Sequence, residues 1–186
     1  MSISGADLKD ALFWETEKDA VRCHLCPHSC LIKDGKVGIC RVRQNVGGTL
    51  KALSYGRGSS MHLDPLEKKP LFHFHPGEPV LSFGGLSCNL RCQHCQNFTI
   101  AQIGLDSGMS RYIPPEDVPA MCSRAGSKGV AWTYNEPTIW YEYMLEASRL
   151  CKENGLFTVS VTNGFIQEAP LRSLKGVIDA MNIDVK

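Results

Sequence analysis

Residues 79–97 read PVLSFGGLSCNLRCQHCQN, a short apolar run followed by a loop that carries three cysteines. The run has the length and composition of a buried β-strand, and the glycine pair after it indicates a turn. Cys88, Cys92 and Cys95 follow with the spacing C-x3-C-x2-C. In parallel α/β folds the chemistry lies at the carboxyl ends of the strands. This stretch therefore predicts both the first strand of such a fold and its functional loop.

Three more apolar runs follow, KGVAWTY at 128–134, FTVSVTN at 157–163 and AMNIDVK at 180–186. Helix-length segments separate the runs, at 114–127, 137–154 and 167–176. Strands that alternate with helices form βαβ units, so the pattern predicts an α/β fold with a partial parallel (β/α) barrel. An apolar strand left at a sheet edge is a liability. We therefore expect the barrel to be truncated after this fourth strand.

The preceding part of the chain has a different character and predicts a division into two regions. Residues 1–77 are expected to form a small, irregular, Cys-rich metal-binding segment with a linker, and residues 78–186 the incomplete barrel domain. The segment contains C-x2-C-x3-C-x9-C, formed by Cys23, Cys26, Cys30 and Cys40. Four thiolates can close a tetrahedral zinc site or hold an iron–sulfur cluster. The spacing fits both metals, and we favour the iron–sulfur alternative.

Composition narrows the classes of function. The net charge of +1 gives no electrostatic reason to expect a nucleic-acid partner. The sequence has no run of eighteen apolar residues and no apolar signal sequence near its start, which predicts a cytoplasmic protein without a membrane partner. In such a protein the clustering of seven of the nine cysteines indicates metal ligands rather than disulfides. Lys68 and Lys69, just before the first strand, are expected to be solvated charges.

The three-cysteine loop poses a question of ligand number. Three thiolates can hold three irons of a [4Fe-4S] cluster and leave the fourth iron open to a substrate. The alternative is a zinc site that takes a fourth ligand from a neighbour such as His94. Polar residues follow each of the next three predicted strands and would meet the loop at the same end of the sheet: Asn135 and Glu136, Asn163 and Gly164, Asp184 and Lys186.

Each of these polar pairs also has a structural interpretation. Asn135 or Glu136 beside a proline can cap a helix, and Asn163–Gly164 can form an ordinary turn. Asp184 lies near the end of the chain, where it can be exposed. The sequence alone leaves these alternatives open.

The cysteine spacing after the first strand of an α/β barrel resembles that of radical S-adenosylmethionine (SAM) enzymes. The resemblance implies that the amino and carboxylate groups of SAM chelate the open iron. Reductive cleavage of SAM would then give a 5′-deoxyadenosyl radical that abstracts hydrogen from a substrate. The planar ring of His94 would lie near the adenine, and Glu136 would hold the SAM amino group. Asn163 and Gly164 would lie against ribose and methionine, and Asp184 and Lys186 would match a D-x-K segment at the barrel mouth.

A narrower resemblance covers residues 20–186, carried by CHLCPHSCLIKDGKVGICRVRQN, DPLEKKPLFHFHPG, CNLRCQHCQN, TYNEPTIWYEY, VTNG and AMNIDVK. These motifs are similar to the radical SAM enzyme of the AmmeMemoRadiSam system, which is related to pyruvate formate-lyase (glycyl-radical enzyme) activating enzymes. The resemblance implies a flavodoxin- or ferredoxin-type electron donor, with Memo-type and AMMECR1-type proteins or a protein substrate as partners. The competing hypotheses are a zinc-binding interaction module and an iron–sulfur electron carrier.

Overall fold

The computed structural model describes residues 8–186, so the first seven residues of the predicted 1–77 segment lie outside the described residues. The strands are β1 (Trp14–Glu17), β2 (Ala20–Cys23), β3 (Leu31–Lys33), β4 (Arg43–Val46), β5 (Thr49–Ala52), β6 (Arg57–Gly58), β7 (Ser60–Pro65), β8 (Pro79–Gly84), β9 (Arg111–Tyr112), β10 (Gly129–Trp132), β11 (Phe157–Thr162) and β12 (Ala180–Ile183). The α-helices are α1 (Phe98–Ala101), α2 (Val118–Arg124), α3 (Tyr141–Glu153) and α4 (Glu168–Ser173). Short 3-10 turns cover Leu66–Lys68, Leu105–Ser107, Pro115–Asp117 and Pro137–Trp140.

The four strands predicted for the sheet are present and parallel. They are β8, β10, β11 and β12, which lie side by side in a five-stranded sheet of order β12-β11-β10-β8-β7. Val130 of β10 pairs with Leu81 of β8 on one side and with Thr158 of β11 on the other. Helices α2, α3 and α4 connect successive parallel strands, so the predicted α/β alternation and mostly parallel sheet are confirmed.

The fifth strand of the sheet, β7, was not predicted from the sequence. β7 runs antiparallel to β8, with Ser60 opposite Gly84 and Pro65 opposite Pro79. Its side chains are mostly exposed or half-buried, so its sequence lacks the apolar run that marks the other strands. The sheet therefore begins at residue 60, and a boundary after residue 77 divides two hydrogen-bonded strands.

The sequence predicted an irregular segment before the sheet. The structure instead contains six short strands ahead of β7. β1, β2 and β3 form one antiparallel sheet, and β4 and β5 form a hairpin. None of these strands is longer than four residues. Elements this short show little hydrophobic periodicity, which explains why the sequence pattern did not reveal them.

Helix α3, within the segment 137–154 predicted to be helical, packs on the sheet through an apolar stripe. Tyr143, Met144, Ala147 and Cys151 are at most 1% exposed and belong to the same core cluster as Trp132 of β10. Cys122 of α2 is also fully buried in this cluster, so both cysteines outside the two groups are core residues. α3, with thirteen residues, is the longest described helix, and no helix within residues 8–186 is long and apolar enough to cross a bilayer.

A buried ion pair joins the N-terminal segment to this helix. Arg43 of β4 and Glu142 of α3 are 1% and 4% exposed, and their side chains are in direct contact. The Arg43 guanidinium also donates to the Leu12 carbonyl (3.0 Å) and to the Cys23 thiol (3.4 Å). The pair thus connects the first cysteine group to the helix that covers the five-stranded sheet.

Candidate metal and cofactor site

A cleft of about 760 Å³ lies at the carboxyl ends of the parallel strands. The loop after β8 contributes its three cysteines, the polar residues after β10, β11 and β12 form a second part of the wall, and Lys68, Lys69 and Pro70 line the cleft as well. Of the residues singled out from the sequence, the cleft is lined by Cys88, Cys92, His94, Cys95, Asn135, Glu136, Asn163, Asp184 and Lys186. Gly164 does not line it but follows Asn163 directly. The predicted strand-end residues therefore meet at one place, as the parallel topology requires.

The side chain of Asn135 fastens the start of the cysteine loop. Its Oδ1 accepts a hydrogen bond from the Gly85 amide (3.0 Å), and its Nδ2 donates to the Ser87 carbonyl (2.7 Å). In the loop itself the Leu90 amide donates to the Cys88 thiol at 3.4 Å. Burial raises the pKa of this thiol to about 11. A nearby metal cation would offset that burial cost, since thiolates bind metals in their deprotonated form.

Glu136 is a buried carboxyl group, 2% exposed, at the wall of the cleft. Oε1 accepts from the Thr138 amide (2.9 Å) and the Thr162 hydroxyl (2.6 Å), and Oε2 accepts from the Asn163 amide (2.8 Å). Burial raises the pKa of Glu136 in spite of these hydrogen bonds. The Thr138 bond confirms the N-cap interpretation, and Oε2 keeps acceptor capacity for a further donor.

The turn after β11 is ordered by its asparagine. Asn163 Oδ1 accepts from the Phe165 amide (2.9 Å), and its Nδ2 donates to Asn89 Oδ1 (2.8 Å). Gly164 has a φ of +68°, and a Cβ there would lie 2.7 Å from an Ile183 methyl carbon. This close approach explains why glycine occupies the position. The turn interpretation therefore holds, and the same turn delivers Asn163 to the cleft.

The segment after the last strand carries an acid and a base that form an ion pair. Asp184 accepts from the Asn182 side chain (2.7 Å) and lies 3.2 Å from the Lys186 ammonium group. The Lys186 side chain is 33% exposed and that of Asp184 is 42% exposed. Both remain accessible from the cleft.

The four cysteines of the first group line a second, smaller cavity together with Gly38 and Arg43. The Cys23 amide donates to the Cys30 carbonyl (3.0 Å), which closes the loop that holds the first three thiols: Cys23, Cys26 and Cys30. Burial raises the pKa of Cys26, opposed by hydrogen bonds from the His28 backbone and the Asn89 side chain, and burial raises that of Cys40 to about 12.

The donor chemistry of both groups fits thiolate-bound metal, since seven cysteines without disulfides line two cavities. Within the described part of the chain, no three His, Cys, Asp or Glu side chains are spaced to hold a single metal ion.

A polar cluster on the opposite wall of the cleft was not predicted, and one expectation for its residues was wrong. Lys69 is 2% exposed rather than solvated. Its Nζ donates to Asp64 (2.7 Å), which also accepts from Lys68 (2.9 Å) and from the Tyr134 hydroxyl (2.6 Å). The spacing of Asp64 from the two lysines, four and five residues, is the one signal that could have suggested this pairing.

Comparison with known proteins gives three results. A family model described as "Radical SAM superfamily" matches residues 85–186. The chain is 46% identical over 180 residues to the uncharacterized protein MJ0808 of Methanocaldococcus jannaschii, covering 96% of this chain and 54% of that protein. It is 26% identical over 170 residues to the uncharacterized protein MJ0674 of the same organism, covering 88% of this chain and 45% of that protein. The chain thus spans about half the length of these curated relatives.

Among solved structures, QueE from Escherichia coli aligns with a TM-score of 0.48 and 19% sequence identity. The alignment covers 58% of this chain and 52% of that one.

Proposed function

Because the chain belongs to the radical SAM superfamily, we propose that its large cleft cleaves SAM reductively and directs the resulting radical to a substrate. Membership implies a [4Fe-4S] cluster and SAM as cofactors. Cys88, Cys92 and Cys95 are the residues proposed to hold the cluster, which supplies the electron for the cleavage when bound. The observation that carries the proposal is the meeting of these three thiols with Glu136 and Asn163 in one cleft.

The other cleft residues have separate proposed roles. Glu136 Oε2 accepts a single protein hydrogen bond and is proposed to bind the SAM ammonium group. Asn163 and Gly164 are proposed to contact ribose and methionine. His94, which is exposed, is proposed to stack on the adenine.

The remaining residues of the predicted set are proposed to act at the rim and behind the loop. Asp184 and Lys186 are proposed to face substrate or SAM at the rim. Asn135 has both amide groups engaged with the loop, which supports a role in positioning the cysteines.

The narrower assignment is also a proposal. We infer an oxidoreductase similar to the activating enzymes, within the AmmeMemoRadiSam system and cytoplasmic. Its support is the set of motifs between residues 20 and 186. The proposed partners are a flavodoxin- or ferredoxin-type electron donor, Memo-type and AMMECR1-type proteins or a protein substrate. We also propose that the barrel continues beyond β12. The Cys-rich segment is proposed to hold a second Fe–S cluster, or zinc.

Anaerobic reconstitution tests the core of this function. We expect iron and sulfide in the purified protein, and 5′-deoxyadenosine after addition of SAM and a strong reductant. Cys88→Ala should abolish the nucleoside product, while Cys122→Ala, a buried cysteine outside both groups, should not. Zinc at the three-cysteine loop would favour the interaction module instead. Iron without SAM binding would favour the electron carrier.

A further inference from the structure

Ser87 and Asn89, the neighbours of Cys88, each accept a hydrogen bond from a residue in the loops that carry the four cysteines of the first group. On the N-terminal side, Arg41 directly follows Cys40 and donates through Nε to the Ser87 hydroxyl (3.1 Å). The same guanidinium donates to the carbonyls of Gln102 (2.9 Å) and Ala101 (3.1 Å), at the end of α1. One side chain therefore fixes the beginning of the cysteine loop relative to the helix that follows it.

On the C-terminal side the contact comes from His28, which lies between Cys26 and Cys30. Its Nε2 is 2.7 Å from the backbone carbonyl oxygen of Asn89, so this ring nitrogen is the donor. Asn89 is 1% exposed, and its side chain donates to the Phe165 carbonyl (3.1 Å). The His28 ring also meets the Phe165 ring edge-on, with centroids 4.9 Å apart. This contact joins the first cysteine group to the loops after β8 and β11.

The backbone at Ser87 explains why such contacts are needed. Ser87 is fully buried and has a φ of +72°, in the left-handed region that favours glycine. A serine persists in that conformation only where its surroundings determine it. Arg41 is one of these determinants, and Arg41 itself has a φ of +64° directly after a cysteine of the other site. Arg41 thus connects the strained backbone at Ser87, next to Cys88, with the loop that carries Cys40.

We propose that the four-cysteine site is a metal-dependent brace for the catalytic loop. An iron–sulfur cluster bound by its four thiolates would fix the short loops that carry His28 and Arg41. These two positioning residues would then hold Asn89 and Ser87, and through them Cys88, in the geometry that SAM binding requires. The inference rests on the proposed function, because the property that it controls is SAM binding at the three-cysteine loop.

The test compares the reconstituted wild-type chain with His28→Phe, which keeps a ring against Phe165 but removes the donor. His28→Gln, which restores an N–H donor, and Arg172→Met, which removes an exposed arginine of α4, serve as controls. Two quantities are measured anaerobically: the change that SAM causes in the electron paramagnetic resonance spectrum of the reduced protein, and the dissociation constant of SAM. Circular dichroism establishes that each variant is folded.

We expect His28→Phe to weaken SAM binding about tenfold, the scale typical of groups that orient metal ligands. Its SAM-dependent spectral change should shrink, while both controls behave as wild type. Cys26→Ser should give the same loss, and adding His28→Phe to Cys26→Ser should cause little further loss, since both act through one brace.

Two outcomes would overturn the brace. One is wild-type SAM affinity in both His28→Phe and Cys26→Ser, and the other is full additivity of the two substitutions. Absence of any SAM-dependent spectral change in the wild-type chain would instead contradict the proposed function itself.

Discussion

Glu136 is a side chain on which two opposing effects act. Burial favours its neutral form, and three hydrogen bonds favour its charged form, yet the net effect is a raised pKa. A cationic ligand adjacent to it would reverse the balance, because a nearby positive charge stabilises the carboxylate. Binding of an ammonium group should therefore release a proton from Glu136.

This linkage predicts that SAM affinity rises with pH through the raised pKa of Glu136. The protonated acid prevails below that pKa and must lose its proton to bind the ammonium group. Glu136→Gln should weaken SAM binding by roughly 10- to 100-fold, the worth of a charged hydrogen bond of about 1.5–3 kcal/mol, without changing the iron content. Isothermal titration in two buffers of different ionisation enthalpy would measure the released proton. Glu168→Gln, on the exposed face of α4, is the matched control, and equal pH profiles for wild type and Glu136→Gln would contradict this role.

For Asp64, beside the opposite wall of the cleft, hydrogen bonds outweigh burial, so its pKa is lowered and not raised. Burial alone would raise the pKa of Asp64, but hydrogen bonds from Lys69, Tyr134 and Lys68 outweigh it and hold the pKa far below its ordinary value of 3.8. A lowered pKa contributes stability that is present above the ordinary value and is lost as pH falls below it. The free energy of unfolding should therefore decline in acid below about pH 4.

Asp64→Asn should lower the free energy of unfolding at pH 7 by about 3–5 kcal/mol, because it leaves the buried Lys69 ammonium without a counter-charge. Urea denaturation of the two proteins measures the difference. Lys68→Gln removes a partner whose side chain is 65% exposed, so it should cost at most about 1 kcal/mol. Similar losses for both variants would contradict the importance of burial at Lys69.

At the level of elements, the sequence was informative where strands are apolar and helices amphipathic. β8, β10 and β11 were predicted because a strand buried on both faces reads as a continuous apolar run, whereas the residues of β12 are half-buried or exposed. β7 was missed because four of its six residues are polar or proline, so no apolar run marks the strand. Lys69 was misjudged because its ammonium group lies 4.6 Å from the centre of the Tyr134 ring, and nothing in the sequence around Lys69 indicates this contact.

The close pairing of β10 and β11 gives a prediction at this scale. Gly129 lies opposite Phe157, and a Cβ at Gly129 would come 2.2 Å from ring carbons of that phenylalanine. Gly129→Ala should lower the free energy of unfolding by about 1–3 kcal/mol through overpacking. Gly104→Ala, where the added carbon meets no atom within 4 Å, is the control and should be nearly neutral. Thermal denaturation distinguishes the two, and equal midpoints would contradict the overpacking.

For the molecule as a whole, the N-terminal segment and the sheet are expected to unfold together. The buried pair of Arg43 and Glu142 connects them, and neither charge can reach water in the folded protein. Glu142→Gln should cost about 3–5 kcal/mol, because Arg43 would remain buried and charged. Glu146→Gln, one turn further along α3 and 42% exposed, should cost at most about 1 kcal/mol.

Hydrogen exchange would measure the effect of Glu142→Gln on each part separately. We expect amide protection to fall in β2, β4 and β11 alike. Loss confined to the N-terminal strands would mean that the segment opens independently of the sheet.

The candidate site was more accessible to sequence reasoning than the contacts that support it. The cysteines and strand-end residues follow from spacing and topology, because parallel strands bring their ends together. The contacts of Arg41 with Ser87 and of His28 with Asn89 join residues 46 and 61 positions apart. No periodicity or local motif encodes such pairs, since they arise only when separate elements dock.

The antiparallel strand beside β8 has a consequence for how this sheet can curve on itself. β8 hydrogen-bonds to β10 along one edge and to β7 along the other, so all of its backbone capacity for strand pairing is engaged. A further parallel strand could therefore not pair with β8 to close the sheet into a barrel. Any closure of the sheet on this side must therefore use the outer edge of β7, and not the strand that leads into the cysteine loop.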